Sequence, residues 1–446
     1  MKYLNSICRS LLLGSVVIGQ VHASGFALIE NGASGQGNAY AGAAAHAVDA
    51  STVYFNPAGM VRLDGEQLLF AGHIISPESS FQNQGSSRAA AGGGGSLTGV
   101  NDDGGQTAFV PNFYWVKPIS DQTSFGIGVL SLFGLATKYD KNWVGRYHAV
   151  ETDLKTININ PSVAFQVSDK LSVGGGINIM YADIVFSNAI DFGTLAGAPQ
   201  SSTFEGFADL KGDNSSDPGY GFNFGLQYAM SPNTQLGVSY RSEVELNLEG
   251  NADFTVPAAT VTALGGAGVG TVAFLDTGIK SSVTVPASLA LSIASKVGQV
   301  TYLADVTWTG WSSFDELRIN FDNAAQADAV TTEDWSDTMR YSAGLDYQYS
   351  NSMILRTGVA YDETPIPNAE RRTARVPGTD RTWLSFGLTY LMADELTLDV
   401  GYSHLFIDDV RINNTLETSQ AALNSTLTGE YSASVDILSA QLSWTY

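Results

Sequence analysis

The amino-acid sequence predicts an all-β protein, a transmembrane antiparallel β-barrel of 14 strands. Three observations predict this fold class: an N-terminal export signal, no later apolar run of about 18 residues, and many segments in which apolar and polar residues alternate. Because every backbone polar group inside a bilayer needs a hydrogen-bond partner, only helices and closed barrels can cross one. An exported chain with alternating segments and no helical span therefore favours the barrel.

The first residues have the pattern of a signal peptide. Lys2 and Arg9 supply positive charge, the apolar run 11–21 is too short to span a bilayer as a helix, and a Val-His-Ala sequence ends it. We expect residues 1–23 to be removed, so that the mature chain begins at Ser24.

The mature chain is strongly acidic. The sequence has 22 Lys and Arg against 44 Asp and Glu, and the signal peptide contains two bases and no acid, so the mature charge is 20 − 44 = −24. This balance argues against a nucleic-acid partner, because nucleic acids select basic surfaces. It suits either a soluble acidic secreted protein or a barrel whose acidic outer loops face lipopolysaccharide. The single cysteine, Cys8, leaves with the signal, so we expect no disulfide and no cysteine metal site.

Alternation with a period of two residues is clear at 154–167, where Ile157 and Val163 lie on one face and Asn158 and Asn160 on the other. A soluble sandwich also alternates, but wide apolar faces with Tyr or Phe near their ends suit a lipid-facing band with aromatic girdles. The segments with this pattern number 14, an even count that fits a bacterial barrel. They are 66–76, 109–117, 124–134, 153–167, 171–186, 219–230, 234–249, 281–296, 299–311, 338–350, 352–363, 381–392, 395–408 and 434–446.

The connections between these segments are alternately tight and long. The tight ones, which we expect to be periplasmic turns, include 168–170, 231–233, 350–351 and 393–394. The long ones, rich in Gly, Ser or Asp and expected to be external loops, include 77–108, 187–218, 250–280 and 409–433. This rhythm favours a membrane barrel over a sandwich.

The chain ends on an aromatic residue. Leu438, Leu442, Trp444 and Tyr446 share one face of the last segment, which is typical of the signal read by the barrel-assembly machinery. With the signal peptide, this pattern predicts a multi-pass β-barrel in the outer membrane of a Gram-negative bacterium, bathed in outer-membrane lipid and lipopolysaccharide. We expect the protein to be a monomer.

Residues 24–65 differ from the rest of the chain, because they are Gly- and Ala-rich and not strand-like. Through Gly25-Phe26, the SGQGNAYAG run at 34–42 and Asn56-Pro57-Ala58, this stretch resembles the N-terminal plug, or hatch, of the FadL family of outer-membrane transporters for long-chain fatty acids and other hydrophobic compounds. Further matching motifs follow in order: FGLAT at 133–137, WTGWSSFDEL at 308–317, LRTG at 355–358, YDETP at 361–365 and DRTWLS at 380–385. The resemblance covers residues 24–446 and implies a hatch at 24–65 inside the lumen of a 14-stranded barrel formed by 66–446.

The resemblance also implies a function, the passive uptake of long-chain fatty acids through a hatch-gated barrel. The ligand would leave sideways at an inward kink, which maps to Ser131-Leu132-Phe133-Gly134, where a residue without Cβ tolerates a bend or bulge. The hatch contact maps to Asn56-Pro57-Ala58, since proline fixes φ and asparagine can bond nearby backbone. An ordinary strand end and a plain turn are the alternative interpretations of these two motifs.

One position departs from the family pattern. Characterised members often carry an arginine just after the strand that matches 171–186, whereas this chain has Asn188 near that position and no base. A carboxylate in an apolar pocket needs a charge partner or good hydrogen bonds. Three arginines of inward parity are the candidates for binding it: Arg340, Arg241 and Arg356. The alternative is structural pairing of these arginines with inward aspartates, which are Asp305, Asp346 and Asp399.

No motif predicts catalysis, a cofactor or a metal site. The four histidines of the mature chain, His46, His73, His148 and His404, lack metal-ligand spacing. The missing base leaves an uptake channel for aromatic or alkane hydrocarbons as the first alternative function. Two further alternatives are a general hydrophilic porin, which a filled lumen argues against, and an outer-membrane lipid hydrolase, which needs a serine beside a histidine such as His404.

Overall fold

The computed structural model describes residues 25–198, 200 and 203–446, so the predicted signal peptide, residues 1–23, lies outside the described residues. The strands are β1 (Gln67–Asn83), β2 (Ala108–Ser120), β3 (Thr123–Leu130), β4 (Gly134–Lys138), β5 (Glu151–Gln166), β6 (Leu171–Asp191), β7 (Glu205–Asp213), β8 (Gly219–Ser231), β9 (Thr234–Arg241), β10 (Val244–Thr255), β11 (Thr277–Val285), β12 (Ser288–Val297), β13 (Val300–Thr309), β14 (Glu316–Phe321), β15 (Ala329–Thr332), β16 (Thr338–Ser350), β17 (Met353–Asp362), β18 (Arg381–Ala393), β19 (Leu396–Ile407), β20 (Val410–Thr415) and β21 (Thr426–Thr445). The helices are α1 (Ala33–Gln36), α2 (Thr52–Phe55), α3 (Phe192–Leu195) and α4 (Ala258–Leu264), and turns of 3₁₀ helix lie at Pro57–Arg62, Ala90–Gly92, Gly265–Ala267, Trp311–Ser313 and Ala421–Leu423.

The strands close into one barrel. Around the wall, β1, β2, β3, β5, β6, β8, β9, β12, β13, β16, β17, β18, β19 and β21 pair in that order, and all these pairings are antiparallel. β4 continues β3, because both pair with β5. β21 pairs back to β1, from Gln67↔Thr445 to Asn83↔Gly429, and so leaves no open edge in the wall order. The predicted all-β fold, a closed 14-stranded antiparallel barrel, is confirmed.

The predicted strands are accurate across the apolar band and too short beyond it. β1 continues to Asn83, and β21 begins at Thr426, eight residues before the predicted start at 434. β7, β10, β11 and β20 include residues expected to be external loop, and these strands pair with one another or with extensions of wall strands. The prediction followed the apolar face, whereas backbone pairing continues wherever a neighbouring strand is present.

Two predicted strands are each interrupted in the structure. The segment 234–249 is divided between β9 and β10 by Ser242 and Glu243, and 281–296 is divided between β11 and β12 by Pro286 and Ala287. Pro286 has no backbone N–H to give to the ladder, which accounts for the second interruption.

Alternation separates the two faces of the wall. On β5 the side chains of Ile157 and Phe165 face outward and are 55% and 47% exposed, whereas Asn158 and Asn160 face inward and are buried. The outer surface is therefore an apolar band and the inner surface is polar, as expected for a barrel in lipid.

Among the described residues, none of the helices has both the length and the apolar character that crossing a membrane would require.

Residues 25–65 pack against inward-facing groups of several wall strands. The backbone N–H of Ala33 donates to Oε1 of Gln441 at 2.9 Å, and the side-chain amide of Gln36 donates to the carbonyl of Ile437 at 3.0 Å. Further around the wall, on β16, a carboxylate oxygen of Asp346 accepts from the side-chain amide of Asn38 at 3.0 Å. The polar inner wall thus provides partners for the polar groups of this Gly- and Ala-rich segment, and its role as a hatch stays a prediction.

Candidate functional site

A cavity of about 280 Å³ lies at the end of the barrel from which the long connections project. All seven long connections contribute to its lining, and each includes any strand that extends beyond the wall. These connections join β1 to β2, β3 to β5, β6 to β8, β9 to β12, β13 to β16, β17 to β18 and β19 to β21. By the expected orientation, with short turns toward the periplasm, this end faces the outside of the cell. One wall of the cavity is apolar and comprises Phe186, Ile190, Leu210, Phe254, Phe274, Leu317, Ile319 and Phe321. The site can therefore hold an apolar chain.

Of the residues that the structure describes, five that line this cavity are charged, and four of these are ion-paired. Arg88 pairs with Asp191 at 3.1 Å across the lining itself. Asp328 and Glu417 pair with arginines outside the lining, at 3.2 Å to Arg318 and 2.8 Å to Arg371. The fifth charged residue is Arg375, and within the part of the chain that the structure describes no carboxylate lies within 4.0 Å of its nitrogens.

The partners of Arg375 are all neutral. Its Nη1 donates to the carbonyl of Glu151 and to Oγ1 of Thr152, both at 3.0 Å. Its Nη2 lies 3.5 Å from the carbonyl of Ser187 and 3.5 Å from Oδ1 of Asn188. Burial lowers the pKa of Arg375 to about 10, so the guanidinium is still a cation at neutral pH.

Further neutral hydrogen-bonding groups lie in the same lining. Nδ1 of His148 donates to Oδ1 of Asn414 at 3.2 Å, and Nε2 of the same ring lies 3.4 Å from Oγ of Ser425. Burial lowers the pKa of His148 to about 4, so this ring is neutral at pH 7. Beside its ion-paired residues, the polar part of the cavity therefore combines Arg375, a cation with neutral partners, with neutral donors and acceptors.

The barrel wall is irregular at the predicted kink, Ser131-Leu132-Phe133-Gly134. β3 ends at Leu130, opposite Asn158, and β4 begins at Gly134, opposite Lys155. Three residues, 131–133, thus face two residues, 156–157, which is the geometry of a β-bulge. Hydroxyl contacts replace the ladder here: Oγ1 of Thr156 donates to the carbonyl of Phe133 at 2.7 Å and accepts from its N–H at 3.0 Å.

The bulged strand also lacks regular pairing on its other edge, the one that faces β2. The ladder between β2 and β3 ends at Phe113↔Val129, and the next bridge above it joins Gly105 to Thr137. Between them, the described ladders contain no pairing of 108–112 with the bulged strand. A ladder interrupted in this way leaves a gap in the wall that a regular barrel lacks.

Residues at the start of the N-terminal segment occupy this irregular stretch from within. Ala27 forms an antiparallel bridge with Phe133. The N–H of Leu28 donates to the carbonyl of Leu132 at 2.8 Å, and the N–H of Gly134 donates to the carbonyl of Phe26 at 3.0 Å. The segment thus supplies the backbone partners that the wall itself does not.

Phe26 fixes this contact in a buried aromatic cluster. Its ring centroid lies 4.8 Å from that of Trp311, 5.7 Å from those of Phe314 and Trp335, and 6.0 Å from that of Phe133. Phe26 is only 6% exposed. Edge-on aromatic pairs of this kind add stability beyond their buried area, so the cluster holds the first residues of the segment against the bulge.

The Asn56-Pro57-Ala58 motif lies against another part of the wall, formed by β8 and β9. The side-chain amide of Asn56 donates to the carbonyls of Leu226 at 3.1 Å and Val238 at 3.2 Å, on β8 and β9. Its Oδ1 accepts from the N–H of Ala58 at 3.1 Å and caps the 3₁₀ helix that begins at Pro57. The motif therefore joins the N-terminal segment to the wall, and its part in gating stays a prediction.

The three arginines chosen from the sequence do point inward, and each already has an intramolecular partner. Arg356 lies between Asp346 and Asp399, at 3.4 and 3.0 Å. Arg340 donates to the carbonyl of Ala39 at 2.9 Å and lies over the ring of Trp383. Arg241 donates to Oδ1 of Asn178 and, at 3.2 Å, to the carbonyl of Tyr54. None of the three lines the cavity, and their binding of a carboxylate stays a prediction.

His404, which the hydrolase alternative requires, lies on the outward face of β19, where Asp399, Ser403 and Leu405 mark the buried inward face. Its Nδ1 is 2.9 Å from a carboxylate oxygen of Asp436 on the same outer surface. Sequence reasoning missed Arg375 altogether. The one sequence signal for it is the presence of three arginines, at 371, 372 and 375, within five residues of an acidic chain.

Comparison with known proteins places these features in a family. Residues 14–446 match the profile of the outer membrane protein transport protein family (OMPP1/FadL/TodX). The chain is 32% identical over 406 residues to a long-chain fatty acid transport protein of Escherichia coli O6:H1, covering 86% of this chain and 87% of that one. It is 30% identical over 414 residues to the protein of the same name from Salmonella typhi, covering 90% and 91%.

A crystal structure of a Pseudomonas aeruginosa FadL homologue has the same fold, with a TM-score of 0.86 at 24% identity over 95% of this chain and 100% of that one. The predicted resemblance and the predicted outer-membrane location are both confirmed. The chain belongs to the outer membrane protein transport protein family (OMPP1/FadL/TodX).

Proposed function

We propose that this protein takes up long-chain fatty acids across the outer membrane by passive diffusion, with residues 24–65 as the hatch and the bulge at 131–134 as the side exit. Two curated relatives at 30% identity or more carry the name long-chain fatty acid transport protein. The apolar wall of the outer cavity suits a long alkyl chain, because removing that chain from water is favourable by about 25 cal/mol for each Å² buried.

The observation that carries this proposal is the bridge between Ala27 and Phe133. The wall is interrupted at 131–133, and the N-terminal segment provides hydrogen bonds there that a continuous strand would provide. Within the described chain, withdrawing residues 26–28 breaks two backbone hydrogen bonds to the wall and the Phe26 ring contacts, whereas opening an intact ladder breaks a bond at every second residue on each strand. A small movement of the hatch is therefore enough to connect the lumen with the membrane.

A disulfide across this bridge tests the route directly. The hydrogen bonds on either side of Ala27 and Phe133 make them a non-hydrogen-bonded antiparallel pair, whose Cα atoms generally lie about 4.5 Å apart, within the range of a disulfide. The variant carrying both Ala27→Cys and Phe133→Cys is expected to lose uptake of labelled oleate when oxidised. Reduction should restore uptake, measured in cells of a strain that lacks its own transporter of this family.

Each single cysteine variant, treated with the same oxidant, is the matched control and should import oleate in both redox states. The mature chain has no native cysteine to interfere, since Cys8 lies in the predicted signal peptide. Undiminished uptake through a barrel whose disulfide is complete by gel mobility would rule out the side exit. Import of a neutral alkane or of toluene without import of oleate would instead favour the hydrocarbon channel.

Lipopolysaccharide and the barrel-assembly machinery as partners, and a monomeric state, stay predictions from the sequence. The acidic outer face and the aromatic C-terminus support the first two, respectively. Cross-linking of the purified protein in detergent and in native membranes measures the third, for which we expect a single band at the mass of one chain.

A further inference from the structure

We propose that Arg375 is the carboxylate anchor of the outer cavity, so that the cavity selects long-chain molecules with a terminal carboxylate over neutral hydrocarbons. This inference rests on the proposed uptake function and names the part of the ligand that its first binding site recognises. It goes beyond the sequence-based candidates, because Arg340, Arg241 and Arg356 do not line the cavity.

The charge balance of the lining distinguishes Arg375 from the other charged residues. Every other charged residue in the lining has an opposite charge at 3.2 Å or less, whereas Arg375 has only neutral oxygens as partners within the described chain. The carboxyl group with the largest electrostatic effect on it is that of Glu333, which is not in salt-bridge contact. Burial raises the pKa of Glu333 to about 8, so that group is mostly neutral at pH 7. The cavity thus carries one uncompensated positive charge, which a ligand carboxylate would neutralise.

Arg375 lies between a polar and an apolar region of the cavity lining. Its guanidinium carbon lies 4.7 Å from the ring centroid of Phe186, and Phe186 also belongs to the apolar wall. A carboxylate held by Arg375 would have the amide of Asn188 and the ring of His148 in the same lining, while its alkyl chain lies along Leu210 and Ile319. The geometry therefore fits a head group and a tail at the same time.

The guanidinium of Arg375 also has hydrogen-bonding capacity left for a ligand. An arginine has five N–H donors. Among the described residues, Nη1 and Nη2 of Arg375 have acceptors and its Nε has none, and the two contacts of Nη2 are both long, at 3.5 Å. Donors thus remain for a forked contact with a carboxylate, which is the geometry that arginine favours.

Binding of two matched probes to the purified protein in detergent tests this assignment. Oleate and methyl oleate have the same alkyl chain and differ in the charge of the head group. Loss of a charge-assisted hydrogen bond generally weakens binding by about ten-fold or more. We therefore expect wild-type protein to bind oleate at least ten-fold more tightly than methyl oleate, and Arg375→Gln to lose most of this preference with methyl oleate affinity unchanged.

Arg411→Gln is the matched control, because Arg411 is an exposed arginine of β20 that does not line the cavity. It should bind both probes like the wild type. Arg375→Lys keeps the charge without the fork and should retain part of the preference for oleate, which keeps the test decisive if the glutamine variant does not fold.

The outcomes separate this inference from the proposed function. Wild-type binding of both probes with equal affinity, or an Arg375→Gln variant that keeps the full preference for oleate, would overturn the anchor and leave the transport route intact. Failure of wild-type protein to bind either probe would remove the proposed function itself. Equal losses of oleate and methyl oleate in the variant would show that Arg375 only shapes the cavity.

Discussion

Gly225 on β8 and Asn56 of the N-terminal segment lie so close that a Cβ on the glycine would be 1.9 Å from Oδ1 of the asparagine. The same asparagine donates to the wall carbonyls of Leu226 and Val238. The segment is therefore held at a fixed distance from the wall, which only a residue without a side chain at 225 permits.

Gly225→Ala is expected to displace the N-terminal segment without unfolding the barrel, because the barrel ladders do not depend on residue 225 being a glycine. The displaced segment should leave a water path, measured as a several-fold rise in small-ion conductance in planar bilayers. Gly175→Ala is the control, since the nearest atom to a Cβ there, the carbonyl of Asn223, lies at 3.2 Å. Equal conductance of the two variants would show that the close approach has no part in sealing the lumen.

Arg356→Gln should lower stability rather than ligand affinity. The side chain of Arg356 is 4% exposed and lies between two carboxylates, so its loss leaves buried charge uncompensated, generally at a cost of about 3–5 kcal/mol. We expect a clear drop in the temperature at which the barrel loses its folded mobility on SDS gels, and unchanged oleate affinity.

Arg318→Gln is the matched control for this change. Arg318 also lies between two carboxylates, of Glu316 and Asp328, but its side chain is 44% exposed, and ion pairs in contact with solvent contribute little to stability. A loss of oleate affinity in the Arg356 variant, with its melting temperature unchanged, would restore that residue as a candidate for the ligand site.

The sequence was sufficient for the barrel because alternation is a local property that lipid enforces. Ile157 and Asn158 lie on opposite faces of β5 as predicted, since one must face acyl chains and the other the lumen. The strand extensions β7, β10 and β20 were missed because above the membrane the outer face no longer needs to be apolar. The bulge at 131–133 was expected from the family resemblance as a kink, but the bridge to Ala27 was not.

The candidate site was harder to predict, because its charges converge only in three dimensions. The alternation of residues along the strands correctly predicts that Arg340, Arg241 and Arg356 face inward. It does not show which of them already have a partner within the protein. Arg375 lies in an irregular connection, where no period applies. It nevertheless reaches Asn188, which is near the position where this chain lacks the arginine of the family pattern.

Phe26→Ala should loosen the start of the N-terminal segment. Removing a buried Phe generally costs about 3–5 kcal/mol, and the ring of Phe26 packs against those of Trp311, Phe314, Trp335 and Phe133. Amide hydrogen exchange of the peptide spanning 25–34 is expected to accelerate at least ten-fold relative to wild type.

Exchange in the wall strand β19 should not change in this variant. Phe26→Leu, which keeps most of the apolar volume, is the control and should show a much smaller effect. Unaltered exchange at 25–34 in the alanine variant would mean that the backbone bridge alone seats the segment.

The buried carboxyl group of Glu333 should make the connection between β15 and β16 sensitive to pH. Burial raises its pKa from 4.5 to about 8, with Glu417 acting in the same direction and the hydrogen bond from Nε1 of Trp335, at 2.9 Å, acting against it. Because the pKa of Glu333 is higher in the folded than in the unfolded state, the stability that this carboxyl group contributes is fully present below about pH 4.5. That contribution falls as the pH rises toward 8 and stays constant above it.

Glu333→Gln mimics the protonated acid and can still accept from Trp335, so it should remove this dependence. Hydrogen exchange of residues 329–337 is expected to be equal in the two proteins near pH 5 and faster in the wild type near pH 9. The ratio of the wild-type exchange rate to that of the variant should therefore rise between these two pH values. Glu316→Gln, an exposed change on the same hairpin, should give a ratio that does not vary with pH. A ratio that is also constant with pH for Glu333→Gln would mean that Glu333 is already ionised in the folded protein. Because Glu333 and Arg375 interact electrostatically, Arg375 would then have a charged neighbour at neutral pH.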